Sequence, residues 1–168
     1  MALENTAGLG VLTNYGPITT KGKYGGEIGD EVVKHVSYEI DFNDLQSTSA
    51  WAVDGLDYII PAGASLLSCR TVVETAVVGP TAITIGTYKA SDGTTAIDAD
   101  GLQTAAAGVV TALDAIGDVL VGTGAQLTTG TAGAGALEFA AVIRILPTVA
   151  VATAGKFRVY ISYLAKAA

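Results

Sequence analysis

Five stretches of this chain alternate apolar and polar residues with a period of two, and that period leaves few folds open. Successive side chains of a strand point to opposite faces, so the pattern buries one face and wets the other. In 31–42, EVVKHVSYEIDF, Val32, Val36, Tyr38, Ile40 and Phe42 share one parity, and His35, Ser37, Glu39 and Asp41 share the other. In 65–77, Leu67, Cys69, Thr71 and Val73 oppose Ser68, Arg70 and Glu74. Ile83 and Ile85 point inward in 81–88. Leu137, Phe139, Ala141, Ile143 and Ile145 alternate with Glu138 and Arg144 in 136–146. In 156–164, Phe157, Val159, Ile161 and Tyr163 alternate with Lys156, Arg158, Tyr160 and Ser162. A looser apolar set, Trp51, Val53, Leu56, Tyr58 and Ile60, ends at the turn signal Pro61-Ala62-Gly63. Short strands joined by Gly, Pro and Asp turns predict an all-β fold, an antiparallel β-sandwich of jelly-roll-like type. Residues 89–101 read as a turn-rich loop built on Asp92-Gly93 and Asp98-Ala99-Asp100-Gly101. Residues 102–117 carry the one helical signal, with Asp100 placed to cap and Gly117 to terminate, so one or two short helical segments are expected.

A chain of 168 residues suits one domain. Half of it is hydrophobic and only 15% is charged, which excludes disorder. Cys69 is the single cysteine, which excludes a disulfide scaffold. Residues 1–30 have no sustained period, yet Leu9, Val11, Leu12, Tyr15, Ile18 and Tyr24 are too apolar to sit free in water. The expected organisation is an extended N-terminal arm over 1–30 and a sandwich domain over 31–168. Mean hydropathy is +0.48, and residues 119–137 hold no charge. Oligomer interfaces are more apolar than free surface, so a homo-oligomer is expected.

The chemistry is mostly a set of exclusions. Net charge is −7, and the nine Lys and Arg residues are scattered, which is no footprint for nucleic acid. The 119–137 run is rich in Gly and Thr and falls short of the roughly 20 predominantly apolar residues of a membrane span. The opening residues lack the basic stretch of a signal peptide, and a lone thiol fits synthesis in the cytoplasm. His35 and Cys69 are the only residues of their kinds, too few for a structural zinc site. They read as an exposed or interface histidine and a small buried hydrophobe. Asp92, Asp98 and Asp100 resemble part of a calcium loop, but Val109 and Thr111 stand where its bidentate Glu belongs. Glu39, Asp41, Asp44, Asp54 and Asp57 could supply paired carboxylates, but acids alternating along strands are ordinarily a solvated face. No phosphate-binding glycine loop or nucleophile elbow is present. The sequence therefore predicts no catalytic residue, no metal and no cofactor.

From Tyr58 to Leu102 the chain contains Ile60-Pro61-Ala62-Gly63, then Thr84-Ile85-Gly86-Thr87-Tyr88, then Asp92-Gly93-Thr94 and Ile97-Asp98-Ala99-Asp100-Gly101-Leu102. Near its end, Thr153-Ala154-Gly155-Lys156 precedes the last alternating run. With these motifs, which span about 110 residues, the chain resembles a group of small virion structural proteins of tailed phages, of the capsid decoration (cement) or head-associated β-domain type. The motifs are turn chemistry, and the resemblance does not reach the first thirty residues. It implies a non-enzymatic cement protein on the outer surface of the virion capsid. Its expected partners are the major capsid protein and further copies of itself, as a trimer. Leu9, Val11, Leu12, Tyr15, Ile18, Lys21, Lys23 and Tyr24 of the arm are the expected capsid contacts. The other reading is a head- or tail-surface module that binds a host glycan or receptor, with Trp51, Tyr58, Tyr88, Tyr160 and Tyr163 as candidate platforms.

Overall fold

The structure, a computed structural model, describes residues 33–48, 58–127 and 136–165. Seven strands form two antiparallel sheets: β1 (Val33–Asp41), β2 (Ser65–Val78), β3 (Ala82–Lys89), β4 (Ala96–Gln103), β5 (Val119–Val121), β6 (Ala141–Thr148) and β7 (Ala154–Leu164). One sheet has the order β1-β7-β2-β5 and the other β4-β3-β6. The all-β sandwich expected from the period-two pattern is the fold observed. The arm over 1–30, with all eight expected capsid contacts, lies outside the described residues, and so do Trp51, Val53 and Leu56.

Alternation accounts for the core. β7 turns Phe157, Val159, Ile161 and Tyr163 inward, and each is buried. Its neighbours supply Tyr38 and Ile40 from β1 and Cys69, Thr71 and Val73 from β2. From the facing sheet come Ile83, Ile85, Ile143 and Ile145, all fully buried. Four polar side chains are buried among them. Thr71 donates its hydroxyl to Gln103 Oε1 at 3.2 Å, Gln103 Nε2 donates to Ile83 O at 3.1 Å, and Thr87 donates to Gln126 Oε1 at 2.8 Å. Such bonds remove most of the cost of taking hydroxyl and amide groups out of water.

The flanks are partly closed by chain crossing between sheets. Ile60 and Ala141 exchange backbone hydrogen bonds of 2.8 and 2.9 Å on the outer edge of β6. The chain then turns through Pro61–Ala64, where Gly63 has φ +82°, into β2. A positive φ at that turn position is what glycine supplies without steric cost. On the opposite flank Gly122 N bonds to Cys69 O at 2.8 Å, and Gln126 N bonds to Gly101 O at 3.0 Å.

Several expectations need refinement. Over 102–117 the expected short helical segment is a single 3-10 turn at Val110–Ala112, and no α-helix occurs among the described residues. Its backbone pairs outward instead. Gly108 O accepts from Ile83 N at 2.8 Å and Val110 N donates to Thr81 O at 3.0 Å. Partners at Thr81 and Ile83 take the place of the continuous i to i−4 ladder that a helix would need. The second short helical element, a 3-10 turn at Phe42–Leu45, follows β1, where Asp41 caps it through a 2.7 Å bond from Asn43 N. Phe42 therefore leaves the strand pattern and is exposed.

The loop expected over 89–101 holds strand β4 in its second half. β4 is irregular: Ile85 pairs with Gln103 and Thr87 with Asp98, so Ala99–Leu102 stand opposite Gly86 alone. In β2 the register slips between Leu66 and Ser68. That bulge turns Leu66 inward and leaves Leu67 48% exposed, the reverse of simple alternation. Finally β6 begins at Ala141 and not at 136; Phe139 precedes it, half exposed, with Lys89 Nζ 4.1 Å from its ring centre.

Candidate interaction surfaces

His35 and Cys69 do not meet. His35 pairs with Ser162 and Cys69 with Ile161, successive residues of β7, so the two side chains lie on opposite faces of one sheet. His35 is exposed and Cys69 is fully buried. Burial pushes the Cys69 thiol up to about 12, so it holds its proton at neutral pH. In the folded protein Cys69 is expected to resist a thiol reagent such as Ellman's, and to react fully once urea unfolds the chain. Rapid labelling of the native protein would contradict its placement.

The acidic residues split into three structural roles. Asp92 organises the β3–β4 turn: its Oδ1 accepts from Thr94 N at 3.0 Å and Thr95 N at 2.9 Å, and Oδ2 accepts from the Thr95 hydroxyl at 2.5 Å. The Thr95 hydroxyl and these amides hold its carboxyl at about 2, below the usual 3.8. A carboxyl depressed on folding stabilises above its unfolded value, and that contribution is lost as pH falls through its folded value. Asp92→Ala is therefore expected to lower Tm at pH 7, with the difference from the parent shrinking between about pH 4 and pH 2. Parallel thermal melts across that range are the check. Asp98 lies partly buried in β4, opposite Thr87, and desolvation raises its pKa. Asp100 N donates to Asp98 Oδ1 across a long 3.4 Å. No group of three or more His, Cys, Asp or Glu side chains placed to hold a metal occurs among the described residues.

Glu39 sits on the outer face of the four-stranded sheet. Lys156 and Arg158 both reach it, and both also reach Glu74, with Lys156 Nζ 2.7 Å from Glu39 and 3.3 Å from Glu74. Lys156 and Arg158 together hold the Glu39 carboxyl below its ordinary range. These charges satisfy one another on an open sheet face. Asp41 and Asp44 are engaged in the cap after β1, where Asp41 N donates to Asp44 Oδ2 at 2.8 Å. Asp54 and Asp57 lie outside the described residues.

The candidate sugar platforms are dispersed. Tyr88 and Tyr163 are buried. Tyr58 is exposed but hydrogen-bonds through its hydroxyl to the inward-facing Tyr163 at 2.9 Å. Tyr160 is exposed on the outer face of β7, pointing away from Tyr163.

One end of the sandwich carries a feature that the sequence reading missed. Four separate segments meet there. Thr153 N bonds to Val78 O at 2.8 Å, Thr81 N to Thr148 O at 3.1 Å, Val110 N to Thr81 O at 3.0 Å, and Ala152 N to Leu45 O at 3.0 Å. From this cross-linked platform Phe42, Val78, Val109 and Val149 project into solvent. Val149 is 82% exposed and has φ +71°. It is the apex of a three-residue γ-turn closed by Ala150 N to Thr148 O at 2.9 Å. A β-branched residue in that region is a steric outlier costing about 1–3 kcal/mol. Segments 42–46, 78–82, 108–112 and 147–153 together contain one charged residue, Asp44. A signal existed in the sequence only as that scarcity of charge, split among four distant places.

No protein-family model matches the chain, and no curated protein matches it. Among solved structures it is similar to a chain of the acid-stable capsid of Helicobacter pylori bacteriophage KHP30, at 11% identity over 80% of this chain and 90% of that one, with a TM-score of 0.48. A chain of the cyanophage Pam1 capsid asymmetric unit gives 19% identity over 89% and 99%, and one from the capsid of Ralstonia phage GP4 gives 14% over 82% and 86%. Both have a TM-score of 0.48.

Proposed function

We propose that this chain is a virion structural protein that decorates and stabilises the outer surface of a phage capsid, without catalysis. The observation that carries the reading is the charge-poor end of the sandwich, with Val149 held out on a strained turn. Exposed apolar groups gain about 25 cal/mol for each Å² they bury, so a fixed apolar platform is suited to seating on another protein. The motif resemblance over Tyr58–Leu102 supplies the class of partner, the major capsid protein. Assembly as a trimer would present three such platforms at once. The arm residues Leu9, Val11, Leu12, Tyr15, Ile18, Lys21, Lys23 and Tyr24 would add a second contact. Linked weak contacts multiply into tight attachment when geometry lets them engage together.

The test is co-sedimentation with undecorated capsids of the phage that encodes the chain. The full chain should bind at hundreds of copies per particle. Val149→Asp should stay folded, because the side chain is exposed, and bind at least tenfold more weakly. Deletion of residues 1–24 should weaken binding independently. Absence of capsid binding by the full chain would overturn the reading. Full binding by Val149→Asp would remove the platform from it.

A further inference from the structure

Two threonine–glutamine pairs are buried between the sheets, and one of them is equipped to react. In each the threonine hydroxyl donates to the glutamine Oε1: Thr71 to Gln103 at 3.2 Å and Thr87 to Gln126 at 2.8 Å. A hydroxyl is a nucleophile and a carboxamide is an acyl group, so each pair holds both halves of an acyl transfer. In the second pair a carbonyl bond of about 1.23 Å places Gln126 Cδ about 3–4 Å from Thr87 Oγ, which overlaps the spacing of a near-attack geometry.

What separates the two pairs is a third group. Asp98 is the cross-strand partner of Thr87. Gln126 Oε1 and Asp98 Oδ2 lie 2.6 and 2.7 Å from the point where a Cβ on Gly101 would stand, so amide and carboxyl are neighbours across that glycine. The backbone fixes Gln126 there. Its N–H donates to Gly101 O at 3.0 Å, and Gly124 packs against Gly101 with no room for a side chain between them. Thr87 is fully buried and Gln126 nearly so, which keeps out the water that would compete for the acyl carbon. Asp98 is only partly buried, and desolvation makes its carboxylate a stronger base than an open one. Gln103 is placed differently: its amide nitrogen is tied to Ile83 O at 3.1 Å, and its register partner is Ile85.

We infer that Thr87 and Gln126 join in an ester that staples β3 to the 122–127 loop. Thr87 Oγ bonds to Gln126 Cδ, the Cδ–Nε2 bond breaks, and the nitrogen leaves as ammonia. Asp98 takes the hydroxyl proton and returns it to the departing nitrogen, so the step needs no further reactant. Ammonia released into neutral water is protonated, which draws the exchange forward. The bond forms once per chain, turns over no substrate and stands independently of capsid binding. It closes a loop between positions 39 residues apart, a covalent restraint on the unfolded chain of the kind a disulfide supplies elsewhere.

The test is the intact mass of the purified full chain, unfolded in denaturant after storage at neutral pH. The parent should be lighter than its sequence by one ammonia, about 17 Da. Trypsin should leave residues 71–89 joined to 90–144, and hydroxylamine, which cleaves esters, should separate them. Thr87→Ser keeps a hydroxyl and should keep the mass loss. Thr71→Val should keep it too, which sets the other pair aside. Thr87→Val should have its full sequence mass, and Asp98→Asn should slow the loss at least tenfold; circular dichroism establishes that each variant is folded. A parent at full sequence mass would overturn the inference, and so would a loss that persists in Thr87→Val. An unchanged rate in Asp98→Asn would overturn the role given to Asp98.

Discussion

Phe157→Ala is expected to destabilise the protein by about 3–5 kcal/mol, the range for truncating a buried aromatic. Phe157 is fully buried on β7, the strand that joins β1 to β2. In register it lies between Ile40 and Val73, both inward-facing. Truncation therefore opens a cavity against both neighbours at once, and a fully paired sheet backbone cannot close in to fill it. For a chain of this size that loss lowers Tm by roughly 6–20 °C. Ser37→Ala on the exposed face of β1 should stay within about 0.5 kcal/mol. Urea melts of both variants are the measurement, and similar midpoints would show that β7 is not the core strand described here.

Gly86→Ala should have the next largest effect, for a different reason. Gly86 is in the middle of β3, where a sequence rule based on strand propensity would welcome a side chain. The extra residues of β4 fold over it, and a Cβ there would come within 2.2 Å of Ala99 O and 2.5 Å of Asp98 O. These are backbone atoms, so relief requires β4 to move away. Overpacking of this kind costs about 1–3 kcal/mol, sometimes more. The damage should be local: amide hydrogen exchange should accelerate across Ala96–Gln103 well beyond any change in β7. Unchanged exchange in β4 would mean that the close approach of the two strands is not real.

The Gly86 case shows how a motif can be legible while its reason is not. Thr84-Ile85-Gly86-Thr87-Tyr88 stands out in the sequence, but nothing near it indicates that four residues of another strand crowd one glycine. Leu67 makes the same point: parity puts it inside, and a bulge set by pairing with β7 turns it out. The interaction surfaces were hardest to read. Val149 follows Pro147-Thr148 in a run that looks like any short connection, and its strained turn is held in place by Thr148 bonding to β3 and Ala152 bonding to the 3-10 turn after β1. The residues the sequence did nominate for capsid contact, in the arm, are outside the described part of the chain.

By itself the sequence determined the strands that alternate regularly, the inward residues of β1, β3 and β7, the burial of Cys69 and the Asp92 turn. Each of these depends on interactions within a few residues: a two-residue period, a turn, a carboxylate bonding to the next amides. The tertiary structure alone decided that 96–103 is a strand and that 104–117 holds one 3-10 turn and no α-helix, where β2 and β4 bulge, and which apolar residues gather at one end. Those outcomes depend on which distant backbone accepts a hydrogen bond. A peptide group satisfied across the sandwich gains as much as one satisfied locally, so local preference loses wherever the long-range partner is in place.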